Sequence, residues 1–211
     1  MIYILAVIAI SYLIGSIPTA YIFGKLFKGI DIREYGSGNV GATNVMRTIG
    51  PVPGVIVFVI DFIKGFVAVT LVPFFLRRLF PEVLDENSLV YIFSAAAVIG
   101  GHIWTVFLRF KGGKGVATTG GVMVALAPDI MIGGLVVWVI IFVIWRYVSL
   151  ASIAAAIALP VLSAITEKDI GFTVFCAVLC VVGLYAHRSN IKRLLQGTES
   201  KQGKNVKKTK V

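Results

Sequence analysis

Charged side chains are scarce in this 211-residue chain: Asp and Glu number 10, Lys and Arg number 20, and together they make up 14% of the residues. A soluble domain has about a quarter charged residues, so the composition argues against one. In contrast, 58% of the residues are hydrophobic, the mean hydropathy is +0.93, and several apolar runs approach the length of a bilayer core. The sequence therefore predicts an all-α polytopic membrane protein.

Clusters of cysteine and of acidic residues are also lacking. Cys176 and Cys180 lie four apart in an apolar run and are predicted to be ordinary buried thiols. The grouped carboxylates that hold Mg²⁺ or zinc are missing, so no metal and no cofactor is predicted. Within the polar loops the carboxylates are Asp31, Glu34 and Glu199, and no Ser-His-Asp set is recognisable.

The apolar runs between charged or Gly/Pro-rich breaks predict seven transmembrane helices. The fourth run is short, because twelve residues of helix extend about 18 Å and the hydrocarbon core is about 30 Å thick. Joining it to the fifth run across Pro128-Asp129 would give six spans instead. The seven runs are Ile2–Phe23, Val52–Leu76, Leu89–Leu108, Val116–Ala127, Ile130–Trp145, Ser149–Thr166 and Ile170–Ala186.

The distribution of basic residues favours seven spans. With seven, Lys and Arg gather in the loops after the first, third and fifth spans and in the C-terminal tail, and most acidic residues lie on the other side. This pattern places the N-terminus outside and the C-terminus in the cytoplasm, whereas six spans would put Arg146 and the basic tail outside. The first run lacks a basic segment before it and a cleavage site after it, so it is predicted to be a retained span.

Much of the net charge of +10 lies in the polybasic segment 200–211. Such a cytoplasmic tail is attracted to anionic lipid. No motif of a nucleic-acid reader is present, so nucleic acid is not a predicted partner. Residues 1–199 are predicted to form a single membrane domain.

The first cytoplasmic loop, YGSGNVGATNVMRTIG, concentrates glycine and small polar residues around one arginine, Arg47. Glycines let backbone amides approach a ligand, and the polar side chains supply hydrogen-bond donors. If the segment is helical, Thr43 and Arg47 share a face, and Arg47 could grip two anionic oxygens. The alternative is a polar connecting loop with glycine turns.

The second loop, FKGGKGVATTGG, suggests a phosphate cradle but not a Walker P-loop. That motif would need glycine where Leu108 stands and Ser or Thr where Gly115 stands. A glycine-rich turn opening a helix still binds anions through its free N–H groups. The alternative is a basic anchor with flexible glycines, and His102 before it suits a catalytic or a structural role equally.

The third loop, AHRSNIKRLLQGTE, places His187 and Asn190 on one helix face. Its basic residues Arg188, Lys192 and Arg193 are predicted to face water and lipid headgroups, as on a membrane-surface helix.

Asp61 and Lys64 lie inside the second run at helical spacing. Charges within a membrane tend to pair or to face a polar cavity. A structural pair is favoured, and the alternative is that Lys64 leans toward an anion site.

The three loops, read as SGNVGATNVMR, GHIWTVFLRFKGGKGVAT and AHRSNIKRLLQGTE, resemble the three cytoplasmic motifs of the bacterial acyl-phosphate:glycerol-3-phosphate acyltransferases, the PlsY family. The stretches GSIP at 15–18 and DFIKG at 61–65 add to the resemblance, which extends to about Glu199. Thr105 stands where many members have proline, and the polybasic tail lies outside the family pattern. The His-x₄-Asp motif of acyl-CoA-dependent acyltransferases is absent.

The resemblance implies a seven-span enzyme of the bacterial inner membrane whose site faces the cytoplasm. It would transfer a fatty acyl group from acyl phosphate to the 1-hydroxyl of glycerol 3-phosphate, giving lysophosphatidate and inorganic phosphate. The implied partners are both substrates, the lipid bilayer and a soluble enzyme that produces acyl phosphate.

By the same resemblance, Ser37, Arg47 and Lys114 would hold glycerol 3-phosphate, and His187 and Asn190 would hold acyl phosphate together with the Gly112 and Gly113 amides. Acyl phosphate is an activated donor, so positioning and charge neutralisation would supply most of the rate, and the proton would pass to a substrate phosphate. Those five side chains are the predicted catalytic residues. Further substrate-binding residues are Gly38, Asn39, Thr43, Asn44, Lys111, Gly112, Gly113 and Gly115, with Lys64, His102 and Glu199 in support.

Two other classes fit parts of the pattern. A transporter of organic phosphates would also carry cation-rich loops, but such proteins often have inverted repeats, and none is evident. A scaffold that binds anionic lipid through its tail would leave the first and third loops unexplained.

Overall fold

The computed structural model describes residues 2–79, 89–166 and 168–202, and the α-helices within these ranges confirm the predicted all-α class. Most of the predicted polybasic tail, residues 203–211, lies outside them. In chain order the helices are α1 Ile2–Ser16, α2 Thr19–Lys28, α3 Ala42–Thr48, α4 Pro51–Leu79, α5 Leu89–Ile103, α6 Val116–Leu126, α7 Pro128–Trp145, α8 Val148–Ile165, α9 Ile170–Ala186 and α10 Arg188–Leu195.

The predicted first span, Ile2–Phe23, lies within the candidate membrane span Ile2–Lys28, and its helix is interrupted near the middle. Helix α1 ends at Ser16 and α2 begins at Thr19. Pro18 lacks an N–H and disfavours helical backbone at Ile17, so the helix is interrupted there. The second half then continues to Lys28, where Gly29 ends it in the left-handed conformation with φ 66°.

Five segments of the described chain are long and apolar enough to cross a membrane, and the pair α9 and α10, bent by 60°, would make a sixth. Helix α6, with 11 residues, is as short as the sequence predicts. The break predicted at Pro128-Asp129 is present but lies at Ala127, because α6 ends at Leu126 and α7 begins at Pro128. The five segments are Ile2–Lys28, Pro51–Leu79, Leu89–Leu108, Pro128–Trp145 and Val148–Ile165.

The chain divides into two compact units at Leu126 and Ala127. In the first unit α1 packs against α5, and α4 packs against both α3 and α6. A β-carbon at Gly65 would collide with the backbone of Thr118, so glycine is what allows α4 and α6 to approach so closely. Many large apolar side chains remain exposed along the helices, such as Phe75 at 57%, as a lipid-facing surface requires.

In the second unit α8 packs against α7 and α9, and α10 contacts α8 and α9. Lys168, just before α9, pairs with Asp129 in the first turn of α7 at 3.1 Å. The contact puts these two residues at the same end of the unit.

Candidate active site

The first loop is organised by the buried side chain of Asn44. Its amide nitrogen donates to the carbonyls of Ile32, Tyr35 and Asn39 at 3.0–3.1 Å, and its oxygen accepts from the Ser37 amide at 2.9 Å. Asn44 is 1% exposed and its polar atoms are engaged with the chain itself. It therefore positions this loop, and the expectation that it contacts substrate is not supported.

The residues around Asn44 form a turn and a short helix, and these position the other predicted site residues of the first loop. Gly38 forms a turn with φ 69°, and its amide donates to the Tyr35 carbonyl at 3.0 Å. Helix α3 includes both Thr43 and Arg47, so the predicted shared face is present. Ser37 is exposed, and Arg47 is half-buried in the last turn of α3.

The interruption between α1 and α2 leaves carbonyl groups outside the regular helical hydrogen bonds, and two side chains from later in the chain donate to them. Thr105 donates its hydroxyl to the Ser16 carbonyl at 2.5 Å, and Lys64 donates to the Ile17 carbonyl at 3.1 Å. The proline expected at this position from the resemblance could not supply this hydroxyl.

Asp61 and Lys64 form the predicted buried pair. Their charged atoms lie 2.8 Å apart, the two residues are 2% and 7% exposed, and Thr19 adds a hydrogen bond to the same carboxylate oxygen at 3.0 Å. The favoured structural interpretation agrees with these contacts. Thr19 was not among the predicted site residues, and its position just after Pro18 was the signal in the sequence that could have indicated it.

His102 lies beside this pair, near the end of α5. Its Nδ1 is hydrogen-bonded to Thr118 Oγ1 at 3.1 Å and lies 3.8 Å from Asp61 Oδ1. In a catalytic triad the hydroxyl and the carboxylate contact opposite ring nitrogens. Here both approach Nδ1 and Thr118 is fully buried, so these three residues are not arranged as a triad.

The glycine-rich loop folds back onto the end of α5. The Gly112 amide donates to the Ile103 carbonyl and the Gly113 amide to the His102 carbonyl, each at 3.0 Å. The expectation that these two amides hold phosphate is therefore not met by the backbone. A β-carbon at Gly113 would collide with His102 Nε2 and lie 2.7 Å from the Val40 carbonyl, so close packing explains this glycine.

The remaining residues of this loop lead into α6. Lys111 is exposed, Lys114 is half-buried, and Gly115 has φ 79° and accepts from the Thr119 amide at 2.7 Å. Helix α6 begins at Val116, and the first amides of a helix have no partner within it. Lys114 and this helix start are thus the parts of the loop best suited to an anion.

In the second unit, α9 and α10 meet at His187. Its Nδ1 lies 2.8 Å from the Gly183 carbonyl. Because a carbonyl only accepts, Nδ1 carries the hydrogen, and Nε2 is the acceptor nitrogen of the neutral ring. His187 and Asn190 are each 4% exposed, three residues apart where α10 starts.

Glu199 ties the end of the described chain to two helices. Oε1 accepts from Ser149 and Asn190 at 2.8 Å, and Oε2 accepts from Arg193 at 2.7 Å. Arg193, predicted to face water and lipid headgroups, has a side chain that is 34% exposed and also pairs with this carboxylate. Burial opposes ionisation, but the three hydrogen bonds outweigh it and hold the pKa of Glu199 below its usual range.

Each unit brings part of the predicted site together. The first contains the loops with Ser37, Arg47 and Lys114, and the second contains His187 and Asn190. Across residues 2–79, 89–166 and 168–202, no three His, Cys, Asp or Glu side chains are grouped so that they could hold a metal ion.

The fold and these loops define a class: a helical membrane protein whose interhelical loops carry cations and hydrogen-bond donors. The family model described as glycerol-3-phosphate acyltransferase matches residues 5–197. The chain belongs to this family, which is that of PlsY, and this confirms the resemblance found in the sequence.

Individual relatives agree. The chain is 43% identical over 193 residues to the glycerol-3-phosphate acyltransferase of Desulforamulus reducens, covering 92% of each protein. It is 42% identical over 199 residues to glycerol-3-phosphate acyltransferase 2 of Moorella thermoacetica, covering 94% of this chain and 97% of that protein.

The fold is similar to crystal structures of the integral membrane glycerol 3-phosphate acyltransferase PlsY. The glycerol 3-phosphate form has a TM-score of 0.84 at 40% identity, covering 95% of this chain and 96% of that one. The lysophosphatidic acid form has a TM-score of 0.81 at 40% identity, covering 95% of each chain.

Proposed function

We propose that this glycerol-3-phosphate acyltransferase uses acyl phosphate as its donor and acylates the 1-hydroxyl of glycerol 3-phosphate. The hydroxyl oxygen forms a bond to the acyl carbonyl carbon, the bond from that carbon to phosphate oxygen breaks, and the hydroxyl proton leaves with phosphate. The products are lysophosphatidate and inorganic phosphate. Crystal forms of the similar PlsY with glycerol 3-phosphate and with lysophosphatidic acid correspond to one substrate and one product.

Residues of the first unit are assigned to glycerol 3-phosphate. Arg47 supplies a bidentate donor and Lys114 a point charge next to the start of α6, and both suit a phosphate dianion. Ser37 presents its hydroxyl from a loop that Asn44 holds in place. Thr43, one turn before Arg47 on α3, adds a donor on the same face.

Residues of the second unit are assigned to acyl phosphate. His187 is oriented by the Gly183 carbonyl and Asn190 by Glu199. An oriented ring and amide can stabilise charge that develops on the departing phosphate or the acyl oxygen. Glu199 acts through Asn190 in this scheme and does not contact the substrate.

The reaction is proposed to need no protein general base. The observation that carries this is that two of the loop carboxylates are paired with cations: Asp31 with Arg33 at 2.6 Å and Glu199 with Arg193 at 2.7 Å. A carboxylate held by a cation is a weak base. A substrate phosphate oxygen is proposed to accept the proton.

The proposed setting is the bacterial inner membrane with seven spans, the N-terminus outside and the loops of the site in the cytoplasm. The positive-inside distribution supports this orientation. Glycerol 3-phosphate then arrives from the cytoplasm, and the acyl chain of the donor resides in the bilayer.

Release of inorganic phosphate by the purified protein in detergent tests the donor. Acyl phosphate and glycerol 3-phosphate together are expected to release phosphate and form lysophosphatidate, while acyl-CoA in place of acyl phosphate gives no product. Product formation from acyl-CoA alone would overturn the donor assignment.

The missing base is tested separately. Mass spectrometry of protein quenched during turnover is expected to find no acylated side chain, and the pH profile is expected to follow substrate phosphate ionisation. A trapped acyl-serine or acyl-histidine would contradict the proposal.

A further inference from the structure

His102 approaches three parts of the first unit: α6 and α4 through Nδ1, and the glycine-rich loop through its carbonyl. Its Nδ1 is hydrogen-bonded to Thr118 on α6 at 3.1 Å, with Asp61 of α4 behind it at 3.8 Å. Its carbonyl accepts the Gly113 amide at 3.0 Å. The residue is 7% exposed, so the ring has little freedom to move.

The second ring nitrogen, Nε2, lies against the glycine-rich loop. A β-carbon on Gly113 would collide with it, which places Nε2 in contact with the Cα of Gly113. Gly113 is thus held twice by one residue, through the carbonyl and through the ring. The Val40 carbonyl lies on the same side of Gly113, so the ring also sets how the second loop packs against the first.

The charged pair behind the ring fixes its position. Lys64 neutralises Asp61 at 2.8 Å and also donates to the Ile17 carbonyl at the interruption between α1 and α2. His102 and this pair line one small pocket together with Gly112 and Gly113, with room for about one water molecule. The glycine-rich loop therefore rests on a polar support anchored within the membrane helices.

We propose that His102 is a positioning residue for Lys114. By holding Gly113 through its ring, it sets where the neighbouring Lys114 and the start of α6 meet glycerol 3-phosphate. This inference rests on the proposed assignment of Lys114 to that substrate. Displacing a binding group by about 1 Å can lower kcat/KM by about a hundredfold, so a small shift of the loop is sufficient to be measured.

Substitution of His102 by Gln and by Asn distinguishes the role of Nε2 from that of Nδ1. The amide of Gln reaches the place of Nε2, whereas the shorter Asn reaches that of Nδ1. His102→Leu is expected to raise the KM for glycerol 3-phosphate about tenfold or more and to leave the KM for the acyl donor unchanged. His102→Gln is expected to restore most of this affinity, and His102→Asn little of it.

Ser94→Ala is the matched control. Ser94 lies on the same helix, is fully buried, and is hydrogen-bonded to Ser11 and to the Ala68 carbonyl at 2.8 Å, about two turns from His102. Its removal is expected to lower the thermal unfolding midpoint without changing the KM for glycerol 3-phosphate. Each variant is measured on its monodisperse fraction, so that loss of folded protein does not enter the KM.

The shift of the unfolding midpoint with added glycerol 3-phosphate provides a readout that needs no acyl donor. His102→Leu is expected to reduce the shift and His102→Gln to restore it, even if the enzyme proves to use another donor. The positioning role is overturned if His102→Leu leaves both the KM and the shift at wild-type values, if Asn restores them as well as Gln, or if Ser94→Ala impairs them equally.

Discussion

The side-chain oxygen of Asn44 accepts the amide hydrogen of Ser37 at 2.9 Å, across seven residues of the first loop. The same side chain donates to three backbone carbonyls. Asn44, which was predicted to bind substrate, therefore holds the first loop in its conformation.

Replacing Asn44 should disturb the loop as a whole. Asn44→Ala leaves buried backbone groups without partners and is expected to cost about 2–4 kcal/mol of stability and to lower kcat/KM about a hundredfold. Asn44→Asp keeps the acceptor for the Ser37 amide but places a carboxylate against three carbonyls. It is therefore expected to lose as much stability and activity as Asn44→Ala. Thermal unfolding and phosphate release measure both, with Thr70→Ala, which removes an exposed hydrogen bond on α4, as control. Wild-type kinetics in Asn44→Asp would contradict this role.

Lys114 and Arg47 test the assignment of glycerol 3-phosphate. Lys114→Met removes a cation and Arg47→Lys removes the bidentate geometry, so each is expected to lower kcat/KM by about a hundredfold or more. Lys25→Met, which removes an exposed cation on α2, is the control and should stay near wild type. Steady-state phosphate release with purified, correctly folded variants is the measurement. Near-normal turnover in both site variants would show that these residues do not hold substrate.

The pair Asp61 and Lys64 should behave as a unit. Lys64→Met alone leaves a buried, uncompensated carboxylate and is expected to destabilise the protein by about 3–5 kcal/mol. Combining it with Asp61→Asn removes both charges and should recover much of that loss. A double-mutant cycle on unfolding midpoints measures the coupling, and additive losses would show that the pair is not coupled.

Glu199 predicts a pH dependence of stability. Its pKa is lower in the folded protein than in the unfolded chain, so its contribution is full above the ordinary value of about 4.3 and is lost as pH falls through the folded pKa. The unfolding midpoint is expected to drop as the pH is lowered below about 4. Glu199→Gln should start lower at neutral pH and depend less on pH.

Asp31 is the control for that titration. The hydrogen bond from the Arg33 guanidinium lowers its pKa as well, so Asp31→Asn should remove a separate part of the acid sensitivity. An unchanged pH profile in Glu199→Gln would assign the whole effect to other carboxylates.

Position 105 is expected to tolerate proline, the residue that the family resemblance leads one to expect there. Its φ of −66° is the angle that proline adopts, and its carbonyl, accepting from Phe110 at 2.8 Å, would remain. Thr105→Pro and Thr105→Val both lose the hydroxyl bond to Ser16, so each should cost about 1 kcal/mol and keep activity. Loss of activity in Thr105→Pro with retention in Thr105→Val would show that the backbone here is less permissive.

Much of the fold could be predicted from local patterns in the sequence. The short helix α6 and the break that follows it appear close to their predicted bounds, because apolar run length and proline act over a few residues. The interruption at Pro18 was missed, since an apolar run alone does not reveal a broken helix. The pairing of Arg193 with Glu199 was not predicted, because the two residues meet only once the chain turns back at Gly197.

The sequence by itself determined the class of protein, the positions of the polar loops and the family, since hydropathy, charge asymmetry and motif spacing are properties of residue order. Only the tertiary structure decided which groups those loops use. It showed that Asn44 and the amides of Gly112 and Gly113 bond to the chain itself, and that His102 lies between Asp61 and Gly113. The reason is physical: a buried donor or acceptor must find a partner, and which partner it finds depends on how the loops fold back and how distant residues such as Asp61 and His102 are brought together by helix packing.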